Sequence, residues 1–473
     1  MVGGGGGSSQ APARQTPLRQ MSRCIAAPAE PSRQPIHQAV QSGSLRGTKL
    51  LVDANAECVH ALDEGNIGPA WIAAQGGYID ILRLLIMHKV NVNIPESENK
   101  RTALHQAAQN GHTKVVEMLL QNGADPDPVD NSGVTPLWLA AQSGHHEIVS
   151  MILDRGTAEK KKIDLEAEWG TNERRPIHQA AQGGHLKTVQ LLLEKGADCD
   201  PDDESGTTPL WSAAQNGNAE LMRELLKAGA RVDVTPYERN RQPIHQAAAN
   251  GHLEAVRVLL EYKASITPEA DSFDDSEPSP FLLACGSGNL ELVKLFLDRG
   301  IDVNTASADE KTGLQFAAST GHVVVGQHLI DKGCDVDARE GDGWSALMLA
   351  SQDGHLPFVN LLIDSHVNIE AEEKDGATAL WLAAQQGHSS IVKRLLDAGA
   401  KQLSVKGSGR RPIHQAAQNG HLACVKKLLK HSPEEINAVE KTGYTALMLA
   451  SQSNKPAHLS VMRYLVSHGA KTT

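Results

Sequence analysis

The feature that most limits how this chain can fold is an internal repeat with a period of about 33 residues. The segment RRPIHQAAQNGH at 410–421 has near-copies at 102–112, 175–185 and 242–252, and a shortened version at 34–43. One position of the repeat recurs thirteen times, at Pro35, Pro69, Ala103, Pro136, Pro176, Pro209, Pro243, Pro280, Gly313, Ala346, Ala379, Pro412 and Ala446. A fixed period of this length predicts a solenoid, in which each unit buries its apolar face against the next.

Each unit has the pattern of two short helices separated by a glycine. In the fourth unit Thr135 can cap the first helix, and Pro136 suits its first position because an N–H there would have no partner. Gly144 can end that helix in a left-handed conformation. The second helix of the fifth unit places Leu186, Val189, Leu192 and Leu193 on one face. We therefore predict an all-α repeat solenoid of helix-turn-helix units with short β-hairpin or loop connectors, in which an Ala-Ala pair keeps the first helix thin.

The repeats fill the chain from residue 33 to residue 473. This predicts a single array of about thirteen units with two insertions, near 157–173 and 268–278. Residues 1–32 differ in composition, because they are rich in Gly, Ser, Pro and Arg and their first acidic residue is Glu30. They lack the apolar segment of a secretory signal, so we expect a disordered leader, with an organelle transit peptide as the alternative.

Charge and cysteine usage exclude several classes of protein. The net charge of −11 argues against a nucleic-acid partner, since such proteins usually carry a basic surface. The six cysteines lie far apart without a CxxC pair, which is typical of free thiols in a reducing compartment. No run approaches 18 apolar residues, so we expect no direct membrane insertion. We expect a cytoplasmic monomer, with the nucleus as the alternative compartment.

The residues within each unit resemble the ankyrin repeat. The segment TPLWLAAQSGH at 135–145 follows that family's TPLHxAAxxGH pattern with Trp in place of His, and LLEKGAD at 192–198 matches the end of its second helix. The resemblance recurs over about nine-tenths of the chain. The first unit departs from it by losing the Gly-His pair, and the eighth departs by having Phe281 to Cys285 in place of the His segment. The resemblance implies ankyrin-type units that bind proteins.

The repeated histidines favour a structural role over catalysis. A glycine lies between His414 and His421, so the two cannot share one helix face as metal ligands do. Catalysis also needs one assembled site, whereas this motif is copied along the chain. Tryptophan replaces the first histidine in four units, at Trp71, Trp138, Trp211 and Trp381. We predict that the first histidine bonds backbone across the repeat and that the second caps the turn between the helices. We expect no catalytic residue, no metal and no cofactor.

Amide side chains recur after the Ala-Ala pair, at positions that line the concave groove in the ankyrin family. The candidate groove residues are Gln109, Asn110, Gln142, Gln182, Gln215, Asn216, Gln352, Gln385, Gln386, Gln418 and Asn419. Because amides both donate and accept hydrogen bonds, they suit a peptide backbone or a polar helix face. The alternative is that glutamine is simply a soluble helix former.

The connectors, which form finger-like hairpins in the ankyrin family, alternate in charge. Arginines precede the units of the His-Gln type, at Arg101, Arg174, Arg241 and Arg410. Acidic residues such as Asp130 and Asp203 precede several units of the Trp or Met type. These fingers could bind a partner, or neighbouring fingers could pair in salt bridges worth under about 1 kcal/mol each. Trp344 and Tyr444 also lie on fingers, and exposed aromatic residues are frequent binding hot spots.

The leading functional hypothesis is therefore a non-catalytic scaffold or adaptor that binds partner proteins or peptides along the groove and fingers. One alternative is a structural spacer or tether. Another rests on Asp302-Val303-Asn304, which resembles the connector that asparaginyl hydroxylases modify in ankyrin proteins. In that case Asn304 would be the modified residue.

Overall fold

In the computed structural model the described residues are 34–159, 161–168, 172–237, 241–266 and 277–472. The leader predicted at 1–32 and most of the insertion near 268–278 lie outside them. The described residues form helices arranged in successive pairs, and they divide between Ala167 and Glu168 into two compact units. The helical repeat predicted from the period is therefore confirmed, and we call the two parts the first and second units of the chain.

The first unit contains four helix pairs. Its first helices are α1 (Pro35–Gln41), α3 (Pro69–Gly76), α5 (Ala103–Gln109) and α7 (Pro136–Ser143). Its second helices are α2 (Leu45–Ala54), α4 (Ile79–Met87), α6 (Thr113–Gln121) and α8 (His146–Glu159). A 3-10 helix at Ala56–His60 follows α2. The insertion predicted near 157–173 begins inside α8, which is longer than the other second helices.

The second unit contains nine pairs. Its first helices are α9 (Pro176–Gln182), α11 (Pro209–Asn216), α13 (Pro243–Ala249), α15 (Pro280–Ser287), α17 (Gly313–Thr320), α19 (Ala346–Asp353), α21 (Ala379–Gln386), α23 (Pro412–Gln418) and α25 (Ala446–Ser451). Its second helices are α10 (Leu186–Glu194), α12 (Ala219–Lys227), α14 (Leu253–Glu261), α16 (Leu290–Asp298), α18 (Val323–Asp331), α20 (Leu356–Asp364), α22 (Ser389–Asp397), α24 (Leu422–His431) and α26 (Pro456–Ser467). A 3-10 helix at Pro433–Asn437 follows α24.

Small residues let the pairs stack closely. Within each compact unit, first helices pack against first helices and second helices against second helices. Ala416 and Ala417 of α23 are completely buried, as the thin first helix requires. Val189 and Leu192 of α10 are also completely buried. Each pair on its own would expose these apolar faces, so stacking supplies most of its stability.

The ends of the first helices follow the predicted chemistry. The Thr135 hydroxyl accepts a hydrogen bond from the Trp138 backbone N–H at 3.2 Å, which caps α7. Gly144 then ends the helix with a φ of 75°, in the left-handed region that glycine adopts without strain. Both predictions for the fourth repeat are confirmed.

Acidic side chains stabilise the connectors by accepting hydrogen bonds from backbone N–H groups of the same loop. One carboxylate oxygen of Asp203 accepts hydrogen bonds from the backbone N–H groups of Ser205 at 3.0 Å and Thr207 at 2.8 Å. Glu373 uses both of its oxygens, since Oε2 accepts the Asp375 N–H and Oε1 accepts the Ala377 N–H. Isolated β-bridges join Ala306 to Thr312, Arg339 to Ser345, and Val439 to Thr445. The connectors are therefore tight loops whose acidic residues have a structural task.

Candidate functional site

In most repeats the third residue of the first helix links one repeat to the next. His414 Nε2 donates to the Ala438 carbonyl at 2.9 Å, and His178 Nε2 contacts the Thr207 carbonyl at 3.1 Å. The other ring nitrogen, Nδ1, accepts the N–H of the residue that caps the same helix, at 3.1 Å in His178. Both nitrogens are thus occupied, and burial lowers the pKa of His178 to about 4. The prediction that the first histidine bonds backbone across the repeat is confirmed.

Other residues at this position make the same bond. The indole N–H of Trp211 donates to the Arg241 carbonyl at 2.8 Å, and that of Trp381 donates to the Arg410 carbonyl at 3.2 Å. Gln315 donates to the Trp344 carbonyl at 2.7 Å. Histidine, tryptophan and glutamine all provide the N–H donor for this bond, whereas Leu282, Met348 and Met448 occupy the position in three repeats and cannot make it.

The second histidine of the motif acts differently from the prediction. His421 does not cap the turn of its own repeat, since its Nε2 donates to the Gln385 carbonyl of the preceding first helix at 3.0 Å. The same contact recurs from His112 to Gln75, His252 to Gln215, His388 to Gln352, and His458 to Gln418. The carbonyls at a helix end lack intrahelical partners, so this histidine caps the helix of the neighbouring repeat.

The groove asparagines are also occupied by the neighbouring repeat. The side-chain amide of Asn216 donates to the Gln182 carbonyl at 2.8 Å, and that of Asn419 donates to the Gln385 carbonyl at 2.8 Å. Asn110 makes the equivalent bond to Gln75 at 3.1 Å. These three side chains are exposed, yet a donor hydrogen of each is already used. Their role is at least partly structural.

The groove glutamines fall into two classes. Where the preceding connector carries arginine, its guanidinium binds the glutamine. Arg174 donates to Gln182 Oε1 at 2.8 Å, Arg410 to Gln418 Oε1 at 2.7 Å, and Arg101 to Gln109 Oε1 at 3.4 Å. In these repeats the arginine occupies the amide oxygen, and no hydrogen bond from the side-chain N–H groups of Gln182 or Gln418 is formed among the described residues.

In the second class the glutamine side chain has no hydrogen-bond partner among the described residues. This holds for Gln215, Gln352, Gln385 and Gln386, which lie in repeats of the Trp or Met type. Gln215 and Gln386 are exposed, whereas Gln352 and Gln385 are half-buried. Gln142 is also half-buried. Glutamines with both amide groups available therefore lie on α11, α19 and α21.

Three of the four finger arginines form ion pairs with the next connector, and Arg410 forms none among the described residues. Arg101 Nε lies 2.9 Å from Asp130, Arg174 Nε lies 3.0 Å from Asp203, and Arg241 Nε lies 2.7 Å from Glu277. Asp130 and Asp203 are almost completely buried. The alternation of charge thus produces the salt bridges that the sequence left as the alternative. Partner binding by these arginines stays a prediction.

The two finger aromatics differ in accessibility. Trp344 is half-buried, and its carbonyl receives the bond from Gln315. Tyr444 remains 43% exposed. Asn304, the candidate for hydroxylation, is exposed, and its side-chain oxygen accepts the Asp335 backbone N–H at 2.8 Å.

The described residues contain no group of three or more His, Cys, Asp or Glu side chains placed to hold a metal ion. A pocket of about 450 Å³ lies beside the 3-10 helix Pro433–Asn437, and its lining includes Lys401, Gln402, Arg411 and Glu435. Arg411 and Glu435 form an ion pair with each other. Nor does any helix in the described ranges have the length and apolar character needed to cross a bilayer.

These features define a class of protein, the helical repeat proteins, in which side chains of one repeat cap the helices of the next repeat and form ion pairs with it. Eight overlapping segments, from 36–130 to 380–473, match the family model described as ankyrin repeats in three copies. The chain therefore belongs to the ankyrin repeat family.

This chain matches only a small part of the length of the curated relatives. A Caenorhabditis elegans protein, ankyrin repeat and KH domain-containing protein mask-1, is 38% identical over 97 residues, which cover 20% of this chain and 4% of that protein. The human transient receptor potential cation channel subfamily A member 1 is 27% identical over 286 residues, covering 60% of this chain and 23% of the channel. The human ASB11 ankyrin repeat domain is 28% identical with a TM-score of 0.42, and the match covers 48% of this chain and 97% of that domain.

Proposed function

We propose that this chain is a non-catalytic scaffold or adaptor that binds protein or peptide partners along the face formed by its first helices and fingers. The observation that carries the proposal is the set of glutamines Gln215, Gln352 and Gln385, whose side chains have no partner among the described residues. They occupy the same position on three first helices. Each offers one acceptor and two donors, which match the repeating C=O and N–H groups of a polypeptide.

The arginine-bound glutamines offer a partner only side-chain donors, because their acceptor oxygen is already used. In Gln182 and Gln418 the arginine holds the amide oxygen, so the side-chain N–H groups are left to act as donors to a partner. A partner carbonyl would suit these positions, whereas either backbone group would suit the unbound class. Arg174 and Arg410 are half-buried and bonded to the glutamines, so we assign them mainly to orienting these side chains.

The test is a triple substitution, Gln215→Ala, Gln352→Ala and Gln385→Ala. Alanine keeps the helices because its helix propensity exceeds that of glutamine. Proximity labelling in the native cell, followed by titration of each recovered protein against the purified chain, should show binding weakened by about tenfold or more, since each lost hydrogen bond is worth roughly 1 kcal/mol.

The matched control replaces three glutamines on second helices, with Gln121→Ala, Gln190→Ala and Gln327→Ala. It makes the same change in composition on another face and should leave binding within about twofold. If both triple variants bind every partner as the unaltered chain does, the groove is not the binding surface. The spacer or tether would then be the better explanation.

We place the protein in the cytoplasm as part of the same proposal. Hydroxylation of Asn304 stays a separate prediction, and mass spectrometry of protein from native cells would test it directly.

A further inference from the structure

The second helices of the last two repeats differ in charge from all the others in the described residues. Each second helix from α2 to α22 contains at least one Asp or Glu. Neither α24 nor α26 contains any. In their place α24 carries Lys426, Lys427 and Lys430, and α26 carries Arg463.

Three of these cations are exposed on the adjacent helices α24 and α26, and we call them the basic face: Lys426, Lys430 and Arg463. Lys426 and Lys430 are four residues apart, so they lie one above the other on the surface of α24. Helix α24 packs against α26, and the Lys426 ammonium lies 5.4 Å from the centre of the Tyr464 ring, next to Arg463 in sequence. Lys426 and Lys430 therefore share one surface, and Arg463 is an exposed cation on the helix that packs against α24.

The basic face has no carboxylate partner in the described part of the chain. None of its three residues forms a salt bridge there, in contrast to Lys393 and Arg394 of α22, which pair with Asp397 and Asp364. Lys427 is excluded from the face because its ammonium donates to the Ser389 carbonyl at 2.7 Å. The surrounding sequence has the same sign, since residues 401–441 contain eight Lys and Arg against three Asp and Glu in a chain of net charge −11.

We propose that the basic face binds an acidic protein segment, a short peptide with several Asp or Glu side chains. Carboxylates about one helical turn apart would meet Lys426 and Lys430 together, because four residues of helix advance about 6 Å. The half-buried Tyr464 ring beneath Lys426 offers an apolar contact beside the charges. A short peptide fits this surface better than a membrane or a nucleic acid does, since an extended polyanion would also be repelled by the acidic remainder of the chain.

The test uses the full chain and a fluorescent peptide of about ten residues in which Glu alternates with apolar residues, followed by fluorescence anisotropy at low salt. We expect saturable binding that weakens as ionic strength rises. The double variant K426E/K430E should weaken it by about tenfold or more, and K426Q/K430Q should cause a smaller loss because it removes attraction without adding repulsion.

The matched control is K187E/K332E, which makes the same change in net charge at exposed lysines of the second unit and should leave peptide binding within about twofold. Circular dichroism melts show that each variant is folded. The groove variant Q215A/Q352A/Q385A should bind the peptide normally, which separates this proposal from the scaffold function. An equal loss in the control, no binding to the unaltered chain, or tighter binding to phosphatidylserine vesicles or duplex DNA would overturn the proposal.

Discussion

At the third position of α5, α9, α17 and α23 the side chain accepts one hydrogen bond and donates another. Gln315 does so by accepting from the Thr312 N–H at 2.7 Å and donating to the Trp344 carbonyl at 2.7 Å. His105 does the same with the Thr102 N–H and the Val134 carbonyl. Gln315→His should therefore leave the free energy of unfolding within about 0.5 kcal/mol, whereas Gln315→Leu should lower it by about 1–3 kcal/mol because two groups lose their partners. Urea denaturation measures both. Equal destabilisation by the two substitutions would contradict the interchange of donors.

The buried histidines should make stability depend on pH. Burial lowers the pKa of His105, His178 and His245 from 6.5 to about 4. Above pH 6.5 each is neutral in both states. Between pH 6.5 and about 4 the unfolded chain binds protons that the folded chain does not, so stability falls as pH falls through this window, by roughly 2 kcal/mol per histidine.

The substitution His178→Gln tests this pH dependence, because glutamine makes equivalent bonds in another repeat and does not titrate. Unfolding of this variant, followed in urea at pH 7 and at about pH 4.5, should show a smaller loss of stability on acidification than the unaltered chain. An unchanged pH dependence would mean that His178 is not among the groups responsible.

The close approach of neighbouring repeats depends on the glycines that end the first helices, of which Gly387 is one. Gly387 ends α21 with a φ of 85°, and a Cβ added there would lie 2.6 Å from Nδ1 of His421 in the next repeat. Gly399 has a φ of 94°, but a Cβ there would meet nothing within 4 Å. Gly399→Ala should thus cost only backbone strain, about 1–2 kcal/mol, and Gly387→Ala should cost about 1–3 kcal/mol more through overpacking. Chemical denaturation of the two variants gives the difference, and similar values for both would show that the histidine can move aside.

The helices could be predicted from the sequence because their signals are local. Thr135, Gly144 and the buried Ala416 each act within a few residues of chain, and the period repeats them. The bonds between repeats could not be predicted in detail. Asn216 reaches Gln182 and His421 reaches Gln385 across 34 and 36 residues, and those pairings depend on how far one helix is offset from the next. The predicted cap by the second histidine was wrong for this reason, since the motif shows the donor but not the helix that receives the bond.

The whole chain should not unfold as one cooperative unit. Its described residues fall into two compact units, and within each of them helices contact only neighbouring pairs. Repeat proteins of this kind gain stability from each repeat and from each interface between adjacent repeats, so cooperativity weakens with distance along the chain. We therefore expect the denaturant m-value to be smaller than the surface buried by the entire chain would require.

Matched core substitutions test this independence. Leu119 of α6 belongs to the first compact unit and Leu395 of α22 to the second, and both side chains are completely buried. Truncation of either to alanine should cost about 2–5 kcal/mol locally. Hydrogen exchange followed by mass spectrometry should show lost protection around α4 to α8 in Leu119→Ala and around α20 to α24 in Leu395→Ala, with the other compact unit unchanged in each case. If either substitution lowered protection equally along the whole chain, the two compact units would have to unfold as one cooperative unit, which would contradict their independence.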